Sequence, residues 1–98
     1  MNIEKESMGT AIALKVSGRL DTTTAPTLEA AVSEAISGCD ALVLDFAGLE
    51  YISSAGLRVI LKAQKAMAAK GGMTLKNVNE TIMEIFEITG FSDILTIV

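Results

Sequence analysis

The stretch from Ala41 to Val78 constrains the fold more than any other. Ala41-Leu-Val-Leu-Asp-Phe46 is a short apolar run of strand type, and its unbroken character suits a central strand covered on both faces. Behind it, Leu57, Ile60, Leu61, Gln64, Met67 and Ala68 recur at helical spacing, while Arg58, Lys62 and Lys65 line another face. Gly71-Gly72 stops that helix near Lys70, and Met73 to Val78 is strand-like again. A chain that passes from strand to amphipathic helix to strand must pack helices against a sheet.

The junction between strand and helix carries adjacent hydroxyls. Ser53 is the natural N-cap of the helix, which puts Ser54 in the first turn. There the unpaired backbone N–H groups and the positive end of the helix dipole converge, so the site welcomes an anion. A phosphate on Ser54 would add roughly −1.5 to −2 charges without melting the helix that receives it. On residues alone, a Ser-Ser before an amphipathic helix is most often only a cap.

The rest of the chain supplies further elements. Ile3 to Ser7 and Thr10 to Ser17 read as a hairpin turning at Met8-Gly9, the second strand alternating Ile12, Leu14 and Val16 against Ala11, Ala13 and Lys15. Gly18-Arg-Leu-Asp21 reads as a turn leading to Thr22-Thr-Thr24, any of which can cap a helix with Pro26 in its first turn. That helix presents Ala25, Leu28, Val32, Ala35 and Ile36 on one face and ends at Gly38. Asn79 caps a last helix with Ile82, Ile85, Phe86 and Met83 inward and Gly90 at its end, and Ile94 to Val98 forms an edge strand or an extended tail.

Leu49-Glu-Tyr-Ile-Ser-Ser-Ala-Gly-Leu57, following Val43-Leu-Asp-Phe46, resembles the signature of the STAS domain family, as found in bacterial anti-sigma-factor antagonists. The family's usual run is Asp-Ser-Ser-Gly-Leu, with the first Ser phosphorylated. Here that position is Ser54, with Ser53 in place of the Asp and Ala55 in place of the second Ser, while Gly56 and Leu57 match. Gly18-Arg-Leu-Asp21 with Thr24-Ala25 and Leu28 is similar to the turn and helix start that open such domains, and Ile85-Phe86-Glu-Ile-Thr-Gly-Phe91 is similar to their final helix and its exit.

The resemblance implies an α/β STAS-like fold, a mixed four- to five-stranded β-sheet with helices packed against it, over one domain spanning 1–98. It implies a non-enzymatic switch that binds an anti-sigma factor with serine kinase activity, frees a sigma factor, and is reset by a metal-dependent serine phosphatase. Ser54 is the phosphorylation site it points to, with Ser53 as the second candidate. The partner-reading surface would comprise Asp21, Thr23, Thr24, Glu50, Tyr51, Ser53, Ala55, Gly56, Arg58, Val59 and Lys62. Within it, Glu50 and Tyr51 are expected on the approach loop, and Val59, off the apolar stripe, is either half exposed in a binding patch or packed under a neighbouring loop. On residues alone, Asp21 caps a turn and Asp45 receives backbone N–H bonds in the loop that follows it. STAS domains also occur in transporters, lipid-transport complexes and stress-sensing complexes, where the same fold would be a structural or ligand-responsive module.

Composition narrows the classes. Hydrophobic residues make up 50% of the chain but aromatics only 4%, so one aliphatic core is expected. A net charge of −4 argues against nucleic acid and anionic membrane as partners, and no apolar run reaches the roughly 18 residues of a membrane span. Met1-Asn-Ile-Glu-Lys-Glu lacks the order of a signal peptide, so a cytoplasmic location is expected. Cys39 is the sole cysteine, read as a half-buried turn residue, and histidine is absent. No metal site, no cofactor and no catalytic constellation is expected. Nothing in the sequence demands more than a monomer for the free protein.

Overall fold

The computed structural model describes Met1–Val98. The elements are β1 (Asn2–Met8), β2 (Ala11–Leu20), α1 (Ala25–Ser37), β3 (Ala41–Ile52), α2 (Ser54–Ala68), β4 (Met73–Lys76), α3 (Glu80–Thr89) and β5 (Thr96–Ile97), with a 3-10 turn at Phe91–Asp93 before β5. The five strands form one mixed sheet in the order β1-β2-β3-β4-β5. β1 pairs antiparallel with β2, and the remaining neighbours are parallel.

The strand predicted to be central is central, but helices cover only one of its faces. Leu42, Leu44 and Phe46 of β3, Ile12, Leu14 and Val16 of β2, and Met73 and Leu75 of β4 all belong to the core cluster that α1, α2 and α3 complete. Ala13 and Asp45, on the opposite face, are buried but lie outside that cluster, and Val43 is half buried. The apolar run was therefore not a two-faced burial signal. Small residues at Ala11, Ala13, Ala41 and Val43 line a face that carries no helix.

Two strands run further than their sequence signals. β2 continues through Gly18-Arg19 to Leu20, and β3 continues through Gly48 to Ile52, the two held in register as Gly18↔Leu49, Arg19↔Tyr51 and Leu20↔Ile52. Register shifts between Lys15 and Ser17 and between Gly18 and Arg19 absorb the glycines. Glu50 and Tyr51 consequently sit on a strand and not on a loop. At Gly48 a Cβ would lie 2.7 Å from Ser17 Cβ, so this glycine serves close strand approach instead of a turn. β4 ends earlier than predicted, at Lys76, because Asn77 takes a left-handed conformation with φ of 58°.

α2 begins at Ser54 as predicted, but its buried face is rotated. Gly56, Leu57, Val59, Ile60, Ala63 and Met67 are buried, whereas Leu61 and Gln64 are half buried and Ala68 is exposed. The helix has two neighbours, the sheet below and α1 beside it, and the residues facing α1 widen its apolar arc. α3 starts at Asn79, whose side chain accepts from Ile82 N–H at 2.9 Å, and ends at Gly90 in the left-handed conformation, φ of 81°. Cys39 is fully buried, not half buried. No helix is long and apolar enough to cross a membrane.

Candidate functional site

The site is assembled where β2 and β3 end together. Ser53 N–H donates to Leu20 C=O at 2.8 Å, which clamps the start of α2 beside the β2–α1 loop. Gly56 makes the clamp close: a Cβ there would lie 2.5 Å from Leu20 Cγ and 3.1 Å from Ile52 Cγ1. The first turn of α2 thus rests directly on the last residues of both strands.

Within that turn the two hydroxyls have different employment. Ser53 is the N-cap, half buried, its Oγ accepting from Gly56 N–H at 3.4 Å, while its C=O accepts from Leu57 N–H at 2.9 Å. Ser54 is exposed, and no intramolecular hydrogen bond engages its side chain. It is therefore the hydroxyl available to chemistry at the positive end of a 15-residue helix.

The β2–α1 loop is built around Asp21. Its Oδ1 accepts from Thr23 N–H at 3.0 Å and Thr24 N–H at 3.1 Å, so the Asp21 carboxylate holds the turn that leads into α1. Thr24 occupies the N-cap position of α1 but makes no capping bond; its hydroxyl accepts from Asp21 N–H at 2.9 Å and donates to Arg19 C=O at 2.8 Å. Arg19 reaches Asp21 Oδ2 at 3.9 Å and lies 4.4 Å over the ring of Tyr51, which is 38% exposed.

The Thr24 backbone N–H is the main cause holding the Asp21 carboxyl below the usual carboxylate range; partial burial opposes it, and the Thr23 N–H, the Thr24 hydroxyl and Arg19 add to the lowering. Asp45 behaves similarly further down β3. Burial pushes its carboxyl up, but bonds from Asn77 Nδ2 at 2.9 Å and Ala47 N–H at 3.0 Å, with the charges of Lys76 and Lys15, hold it below the usual range. Both carboxyls are depressed on folding, so their stabilisation is present above the unfolded value of about 3.9 and is lost as pH falls through the folded values. The melting-temperature gaps between wild type and Asp21→Asn or Asp45→Asn are thus expected to be widest near neutrality. They should close as pH falls below about 4, and gaps that stay constant with pH would remove the ionic contribution.

On the far side of Ser54 the site opens into a groove between α1 and α2. Arg58 is exposed, and Lys62 Nζ bonds Glu29 Oε1 of α1 at 2.7 Å across the groove. Val59 is 7% exposed and lines the groove, so of its two readings the packed one holds and the half-exposed one does not. Gly56, expected on the partner-reading surface, is likewise buried. Asp21, Thr23, Thr24, Ser53, Ser54, Ala55 and Arg58 remain grouped at one end of the molecule. Tyr51 and Arg19 lie on the strands leading into it, and Glu50 stands exposed beside Tyr51 on β3. Thr22 of the β2–α1 loop lines the same hollow, as do Pro26 and Glu29, which were missed because helix α1 reads locally as an amphipathic helix with a solvated outer face.

A family model described as the STAS domain matches residues 2–98. The chain is 37% identical over 82 residues to BtrV of Bordetella bronchiseptica, covering 82% of this chain and 71% of that protein. It is 31% identical over 99 residues to the anti-sigma-B factor antagonist of Bacillus subtilis, covering 99% and 90% respectively. Among solved structures, an anti-sigma factor antagonist from Mycobacterium paratuberculosis matches with a TM-score of 0.90 at 23% identity, over 98% of this chain and 83% of that one. The Bacillus cell fate determinant SpoIIAA in the phosphorylated form matches with a TM-score of 0.76 at 20% identity, over 99% and 91%. At those identities the two structures speak for the fold.

Proposed function

This chain belongs to the STAS domain family, and we propose that it is an anti-sigma-factor antagonist, a binding protein and not an enzyme, whose partner binding is switched at Ser54. The observation that carries the reading is the division of labour at the helix start: Ser53 is consumed as the cap, and Ser54 stands exposed with a free hydroxyl. The names of the relatives support the same reading.

In this mechanism the unphosphorylated protein binds an anti-sigma factor that is also a serine kinase of the GHKL ATPase type, and a sigma factor is released. ATP belongs to the kinase. Phosphate transferred to Ser54 meets the N–H groups and dipole of α2, so the domain accommodates it without unfolding. The partner, shaped for a neutral hydroxyl, would have to desolvate a near-dianion. A metal-dependent serine phosphatase restores the binding form, and the cycle runs in the cytoplasm with a free monomer.

Tandem mass spectrometry of the protein from its native cells, with co-purifying partners identified in the same sample, tests this. Phosphate on Ser54 in the free pool, with unmodified protein bound to a kinase-like partner, is the expected result. An unmodified Ser54 together with membrane or lipid-transport subunits as partners would replace the switch with a structural module.

A further inference from the structure

The groove between α1 and α2 reaches well beyond the serine. Its upper hollow, about 460 Å³, lies between Ala25 and Pro26 of α1 and Ala55 and Arg58 of α2. A lower hollow of about 210 Å³ continues it between Val32, Ser33 and Ile36 on one wall and Ala63 and Ala66 on the other. The two share Glu29, Val59 and Lys62, so the Lys62–Glu29 ion pair bridges a single trough at its middle. From Ala25 to Ile36, and from Ala55 to Ala66, each wall is about 16 Å long, three helical turns. The floor is apolar and made of small or branched side chains.

Charge distinguishes this surface from the rest of the molecule. In a chain of net charge −4, residues 51–79 hold Arg58, Lys62, Lys65, Lys70 and Lys76 and no acidic residue. Arg58, Lys62 and Lys65 all line the upper hollow, against Glu29 alone. The walls are helices, whose backbone groups are paired internally, so an incoming strand would find nothing to hydrogen-bond. A helix brings its own backbone satisfied.

We infer that the trough seats an amphipathic helix of the anti-sigma partner, carrying carboxylates along the edge that meets Arg58 and Lys65, the rim cations that Glu29 does not already pair. This rests on the partner reading given above and extends it from the serine to the length of the helix pair. It also adds a second route to the switch: a phosphate on Ser54, one turn from Arg58, competes for that guanidinium and repels the partner's carboxylates.

The test is affinity for the co-purified partner, measured by calorimetry at low and high salt. Lys65→Glu removes a cation from the rim, and Ala66→Trp fills the lower hollow from an exposed position. Ser33→Trp on the opposite wall does the same should the Ala66 variant fail to fold. Each is expected to weaken binding by about tenfold or more, the Lys65 effect shrinking as salt rises. If these variants bind like wild type while Ser54→Asp does not, the partner reads only the helix start and the trough is no docking site. If Ser54→Asp binds like wild type while the trough variants fail, docking stands and the switch falls.

Discussion

Ser54→Asp is expected to weaken binding to the proposed anti-sigma partner by roughly 30- to several-thousand-fold, the range that corresponds to about 2–5 kcal/mol for an unmatched charge buried at an interface. Ser54→Ala should bind constitutively, since it keeps a small neutral side chain at a position whose hydroxyl holds nothing in the free protein. The fold should be indifferent to both. Ser54 is exposed, and an acidic group in the first turn of α2 is favoured by the helix dipole. Identical far-ultraviolet spectra and unequal affinities are therefore the expected pair of observations. Equal affinity of wild type and Ser54→Asp would sink the mechanism.

Gly56→Val should be among the most destabilising single changes at the site, although glycine inside a helix is ordinarily a weakness. Replacing an interior helical glycine by alanine normally stabilises by about 1 kcal/mol. Here the added carbon would lie 2.5 Å from Leu20 Cγ and 2.9 Å from Leu20 Cδ2, and Leu20 is fully buried. Neither side can yield without moving α2 off the ends of β2 and β3. Overpacking of this kind costs about 1–3 kcal/mol, so alanine should lose more than it gains and valine should reach the upper end. For a domain of this size about 3 kcal/mol corresponds to a fall in melting temperature on the order of 12 °C or more. A melting curve unchanged in Gly56→Val would show that the clamp is looser than its geometry implies.

Much of this site was legible from local chemistry. A cap needs a side-chain acceptor before an amphipathic run, which Ser53 and Asn79 supply, and Gly90 is the left-handed residue that closes α3. Asp45 was read as a receiver of backbone N–H bonds and Asp21 as the cap of a turn, and the carboxylates accept from Ala47 N–H and from Thr23 and Thr24 N–H respectively. What local chemistry could not reveal is adjacency across the chain. Glu29 and Lys62 are 33 residues apart, and no periodicity in either helix announces the other. The available hint was the width of the apolar arc on α2: Val59 and Ala63 beside Leu57 and Ile60 exceed what one sheet needs, and imply a second neighbour. Gly18 misled in the other direction. It reads as a turn residue, yet it marks a register shift inside a pair of long strands, where Gly48 allows the close approach to Ser17.

The order of the strands has a consequence for how this molecule comes into being. Each strand pairs with the one synthesised just before it, from β1 to β5. No strand is ever inserted between two already in place, and each crossover closes a loop only one helix long. The entropy of ring closure is therefore met in small instalments, which favours rapid folding for a largely parallel sheet. As the chain leaves the ribosome, β1 and β2 can form their hairpin, and every later helix and strand finds a finished edge waiting for it.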